Sequence, residues 1–107
     1  MADERVVLVT VPTREAGERI AEIVVGERLA ACVNIVGPIR SIYRWEGAVQ
    51  RDDEHLLIIK TTQPRYAALE ARVLAVHPYQ SPEVIALPIV AGAAPYLAWL
   101  NTETSEP

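Results

Sequence analysis

An α+β fold, with helices packed on one face of a four-stranded antiparallel sheet and a short helix at the C-terminus, follows from three observations. Strand and helix patterns alternate in the order β-α-β-β-α-β. The two middle strands form one long hairpin. Residues that must point to opposite sides of the sheet are apolar in succession.

Residues 5–11 are a β-branched run stopped by Pro12, whose ring removes a donor. Thr13 is a good N-cap, and Glu15 falls in the first turn, where the helix dipole favours an acid. Ala16, Ile20, Ile23, Val24 and Glu27 recur at helical spacing, which predicts a helix ending near 28–29. A second strand over 32–36 is bent at Gly37-Pro38, resumes over 39–45 and turns at Glu46-Gly47 into a third, over 49–62. Pro64 suits the first turn of a second helix, which carries Tyr66, Leu69, Val73 and Val76 on one face. A fourth strand over 84–90 ends before Gly92, and residues 94–100 form the short terminal helix. The tail, 101–107, has no apolar residue and is expected to be disordered.

That order is the split βαβ, or ferredoxin-like, arrangement, in which right-handed crossovers bring both helices to one side of the sheet. Such a sheet should then alternate, apolar toward the helices and polar toward water. Here Val6, Val7, Leu8 and Val9 are apolar in succession, as are Leu56 to Ile59 and Val84 to Leu87. Both faces are therefore apolar, and the helices cover one. The other would leave roughly several hundred Å² of apolar surface open, more than monomers tolerate. Covering it gains on the order of 10 kcal/mol per subunit before association costs. The expectation is an obligate homo-oligomer packed sheet face to sheet face, with the hairpin tip, 46–53, pairing beyond its own subunit.

The 107 residues suit one domain, spanning 1–107, with a core over about 5–100 and the polar tail beyond it. A net charge of −4, with nine arginines and one lysine scattered singly, argues against nucleic acid and anionic membranes as partners. The apolar runs are too short to span a bilayer. The acidic start, Met1-Ala2-Asp3-Glu4, runs straight into a strand pattern and shows no signal peptide. A single cysteine allows no internal disulfide and fits a reducing compartment, so a cytoplasmic protein is expected. There is no CxxC, HExxH, GxSxG or glycine-rich phosphate loop, and enzyme activity is not expected.

The segment His77-Pro78-Tyr79-Gln80-Ser81-Pro82-Glu83 holds polar side chains at a stiff junction between helix and strand. His77 and Glu83 offer an imidazole and a carboxylate to a divalent cation, or His77 caps the helix. Cys32 is a metal-binding or redox thiol, or a small buried hydrophobe. His55, beside Asp52, Asp53 and Glu54, reads as part of a solvated hairpin flank with weak attraction for cations. Tyr43 and Trp45 share one strand face, as a shelf for a planar ligand or as interface packing. Lys60 holds an anion or carboxylate, Glu83 or a ligand, or makes a structural ion pair.

Several stretches resemble the CutA family of divalent-cation tolerance proteins. They are Glu27-Arg28-Leu29-Ala30-Ala31-Cys32-Val33-Asn34, Ser41-Ile42-Tyr43-Arg44-Trp45-Glu46-Gly47, Glu54 with Lys60-Thr61-Thr62, His77-Pro78-Tyr79 with Pro82-Glu83, and Tyr96-Leu97-Ala98-Trp99-Leu100. The resemblance implies a homotrimer similar in architecture to PII signalling proteins and a link to copper and other divalent cations. Where some relatives carry a first-strand cysteine and a second histidine, this chain has Val9 and Val76. The resemblance thus implies His77 and Cys32 as metal candidates, joined by Glu83 from the reading of the junction, with no obligatory cofactor and copper or zinc as the cations bound. The alternative is a small-ligand module in inter-subunit clefts lined by Tyr43, Trp45, Lys60 and Tyr79.

Overall fold

The structure, a computed structural model, describes residues 3–106. Its elements are β1 (Glu4–Val11), α1 (Arg14–Gly26), β2 (Cys32–Trp45), β3 (Ala48–Thr62), α2 (Gln63–Val76), β4 (Val84–Pro88) and α3 (Ala94–Glu103). The strands form one antiparallel sheet in the order β2-β3-β1-β4, as the ferredoxin-like arrangement requires.

Thr13 caps α1 as expected, its Oγ1 accepting the Ala16 N–H at 3.1 Å. Gly17 lets α1 settle on the sheet, because a Cβ there would stand 3.0 Å from Leu57 Cδ2 and 3.2 Å from Val11 Cγ2. On this face Val7, Val9, Val11, Leu57 and Ile59 meet Ile20 and Val24 of α1 and Leu69 and Val73 of α2 in the core. Tyr66 and Val76 pack at its margin, so the predicted stripe on α2 is the observed one.

The β2–β3 hairpin is longer than its neighbours. β1 reaches only as far as the pairing of Val11 with His55, and beyond it the two strands pair only with each other, out to Trp45 opposite Ala48. Glu46 (φ 49°) and Gly47 (φ 81°) close it in the left-handed conformation of a type I′ turn. A bulge falls where the sequence placed it: Gly37 and Pro38, joined by a cis peptide, together oppose His55. Only glycine fits at 37, since a Cβ would lie 2.5 Å from the His55 ring.

Three boundaries depart from expectation. α1 stops at Gly26 rather than near 28–29, because Arg28 enters the left-handed region (φ 61°) and turns the chain. β4 stops at Pro88 rather than at 90, because its partner β1 begins at Glu4, one residue before the pairing of Arg5 with Pro88. The tail over 101–106 is structured through α3 and the turn after it, not disordered, while Pro107 lies outside the described residues. The Arg28 guanidinium donates to the carbonyls of Thr102 (2.7 Å) and Ser105 (3.0 Å), while buried Thr104 bonds the Leu100 carbonyl at 2.8 Å. Polar composition hid this anchorage, which depends on hydrogen bonds rather than apolar burial.

α3 lies on the opposite face from α1 and α2. Asn101 donates to Glu4 Oε2 at 2.7 Å and the Thr104 hydroxyl lies 3.5 Å from that of Thr62. Glu4 and Thr62 are register partners whose side chains alternate with the core-facing set. α3 therefore covers one end of the second face. The rest of that face carries Val6, Leu8, Leu56 and Ile58, half-buried, and Val36, Ile85 and Leu87, exposed.

Candidate functional site

The sharp turn from α2 into β4 positions the first group of side chains. The His77 amide caps α2 through the Val73 carbonyl at 2.9 Å. Its ring occupies the edge of β1 beyond the reach of β4: Nε2 lies 2.7 Å from the Thr10 carbonyl, and Nδ1 accepts the Tyr79 N–H at 3.0 Å. The tautomer with its hydrogen on Nε2 satisfies both bonds, so the imidazole is fully used within the chain. Pro78 makes the turn that brings the Tyr79 ring against it, centroids 4.8 Å apart.

Tyr79 then reaches past the end of β1 to β3, where its hydroxyl donates to Glu54 Oε2 at 2.7 Å. Glu54 is 7% exposed and Asp52, two residues along on the same strand face, accepts from the Tyr43 hydroxyl. Burial, followed by the hydrogen bond to Glu54, raises the Tyr79 phenol well above its ordinary range. The Tyr43 phenol is raised first by its hydrogen bond to Asp52. The result is two carboxylates each accepting from a phenol where the hairpin leaves the sheet, Glu54 buried and Asp52 exposed. The reading of this segment as a solvated flank is corrected at Glu54, which is buried because Tyr79 covers it.

The cleft set divides. Tyr43 and Tyr79 meet through the acidic pair, but Trp45 sits at the hairpin turn and Lys60 lies six residues along β3 from Glu54, about 20 Å at the rise of a strand. Lys60 does not meet Glu83; its ammonium contacts Asn34 Oδ1 on β2. The Cys32 thiol lies 3.8 Å from the same oxygen and is half-buried, so it is not the enclosed hydrophobe of the alternative reading.

The metal candidates also stand apart. Cys32 pairs with Lys60, which pairs with Val6, whereas His77 bonds to Thr10, four residues further along β1, about 13 Å. Glu83 is exposed, one residue before the pairing of Val84 with Val9, on the opposite edge of the sheet from Cys32. Among the described residues no three His, Cys, Asp or Glu side chains gather to hold a metal ion. The residues that sequence reasoning undervalued are Glu54 and Asp52. The available signal was a tyrosine between two prolines, aimed at a strand edge with an acid at its end.

Residues 5–103 match the family model described as CutA1 divalent ion tolerance protein. The chain is 54% identical over 101 residues to the divalent-cation tolerance protein CutA of Thermus thermophilus, covering 94% of this chain and 98% of that one. It is 58% identical over 99 residues to the chloroplastic protein CutA of Arabidopsis thaliana, covering 92% of this chain but only 54% of that longer protein. Its structure superposes on crystalline CutA1 from Oryza sativa with a TM-score of 0.94 at 54% identity, over 99% of this chain and 97% of the other. With that agreement in sequence and fold, the chain belongs to the CutA1 family of divalent ion tolerance proteins.

Proposed function

We propose that this chain acts as a homotrimer in tolerance of divalent metal ions, copper among them, by binding the cations weakly. The observation that carries the reading is the match of residues 5–103 to a family named for that tolerance. The trimer is supported by the second sheet face, where Val36 (44%), Ile85 (50%) and Leu87 (46%) stand open in the lone chain. Cys32 on β2 and Glu83 just before β4, at opposite edges of the sheet, are cation contacts that only neighbouring copies could gather. His77 joins them by giving up its bond to Thr10 or to the Tyr79 amide. The family description names no reaction, and the role proposed is not enzymatic. No helix among the described residues is long and apolar enough to cross a membrane. The single cysteine favours the cytoplasm, although two relatives are named chloroplastic.

Thermal unfolding with copper, zinc or magnesium chloride tests this reading. Copper or zinc at a hundred times Kd should add about 2.7 kcal/mol of stability, and a Cys32→Ser/Glu83→Gln variant should lose the gain. An unchanged Tm with every metal would refute cation binding.

A second reading, a PII-like module that binds a small ligand in inter-subunit clefts, is favoured by the meeting of Tyr43 and Tyr79 over Asp52 and Glu54. Metabolite quenching of Trp45 emission, measured against a Trp45→Phe control and unaffected by metals, would support it over the first.

A further inference from the structure

The chain has two histidines, and the fold employs them differently. Both ring nitrogens of His77 are engaged, at the Thr10 carbonyl and the Tyr79 amide. Neither nitrogen of His55 is engaged among the described residues, and its Nδ1 is enclosed without a hydrogen-bond partner. Buried polar atoms are nearly always paired, so this one asks for a partner from outside the chain. His55 alternates along β3 with the buried Leu57 and Ile59 and so stands on the face that carries α1, away from the face left open for assembly. There it borders a cavity of about 370 Å³, lined also by Arg14 and Glu18 of α1 and by Gly37 of β2. The bare backbone at Gly37 gives the ring its room, since a Cβ would lie 2.5 Å from it. Glu18 is held only by Arg14, one turn earlier at 3.3 Å, in a pair whose side chains are 49% and 69% exposed. A pair so open to water contributes little and is readily exchanged. Asp53, the acid two residues along the same strand face, is turned instead to Arg40 at 3.0 Å.

We infer that His55 and Glu18 form a site for a divalent cation of the copper or zinc kind, in the cavity beside the first turns of α1. An imidazole with a carboxylate suits these ions, whereas magnesium takes oxygen ligands and gains nothing from the ring. Coordination through Nδ1, with the hydrogen on Nε2, gives the enclosed nitrogen the partner it lacks. No third His, Cys, Asp or Glu gathers there among the described residues, so water fills the remaining positions and the site is weak. The Arg14 guanidinium and the positive end of α1 oppose a cation and lower the affinity further. The inference rests on the reading of weak cation binding and adds to it a site that one copy completes, independent of Cys32, His77 and Glu83.

With only two histidines, long-range ¹H–¹⁵N spectra of the whole protein give each imidazole its own signals. Zinc chloride is titrated against magnesium chloride at constant ionic strength, and Tm is read on the same samples. The expected result is a saturable movement of the His55 ring nitrogens with zinc, none with magnesium, and a still His77. Glu18→Gln should weaken zinc by at least about tenfold, the least that loss of an outer-shell partner costs elsewhere. Arg14→Gln should strengthen it, and Cys32→Ser/Glu83→Gln should leave the His55 response unchanged. Arg14 and Glu18 are exposed, so these variants keep the test open if His55→Gln fails to fold. Movement of His77 alone, lost in Cys32→Ser/Glu83→Gln, would overturn this site and leave cation binding standing. A zinc-dependent rise in Tm with both imidazoles still would do the same. Neither a rise nor a movement would overturn both readings. A His55 response that Glu18→Gln leaves intact would overturn the carboxylate's part in the site.

Discussion

The two faces of this sheet are built from the same kinds of residue and meet opposite fates. Val7, Val9, Leu57 and Ile59 point one way and are wholly buried under α1 and α2. Val6, Leu8 and Ile58 alternate with them, point the other way, and are only half-buried in the lone chain. Composition does not separate these sets; what covers them does. The first face should therefore govern the stability of one chain and the second the association of several.

The largest effect that could break this division comes from a charge on the second face. Leu8→Asp should leave the chain folded by circular dichroism yet reduce its light-scattering mass to that of a monomer. Burying an unpaired carboxylate between subunits would cost several kcal/mol. An unaltered assembly would mean that Leu8 faces water and that the faces do not differ in role.

Leu57→Ala on the first face should behave in the opposite way. It opens a cavity under Gly17 and should cost about 3 kcal/mol in urea unfolding, with the intrinsic loss the same at every protein concentration. A loss that appears only on dilution would place Leu57 at an interface rather than in the core.

The smallest test concerns the place where the faces meet, at the base of the hairpin. Tyr79→Phe removes the hydroxyl that covers Glu54 and should cost about 1 kcal/mol. Folding holds the Tyr79 and Tyr43 phenols above their ordinary value of 10.0, so their contribution is fully present below pH 10. It is lost as pH rises through the folded values, because the unfolded chain releases those protons first. Absorbance at 295 nm should show late tyrosine ionisation, and Tyr79→Phe should flatten the alkaline fall in stability.

Most of the fold was legible because it follows from local rules: period-2 and helical spacing, proline stops, and a glycine turn at Glu46-Gly47. Two of the failures share one cause, which is polar contact between residues far apart in sequence. Arg28 holds the carbonyls of Thr102 and Ser105, more than seventy residues on, so the polar tail is ordered. Tyr79 buries Glu54 from twenty-five residues away, so an acid in a charged run is enclosed. Candidate site residues could be named from the sequence, but not their geometry. The sequence shows that His77, Glu83 and Cys32 exist; only register shows that Cys32 and Glu83 lie on opposite edges.

The most direct measurement is the light-scattering mass of the unmodified protein across a dilution series into the low micromolar range. If the open face of the sheet is covered by further copies, the mass stays near three times 11.8 kDa throughout. A well-folded species of 11.8 kDa at those concentrations would contradict that claim.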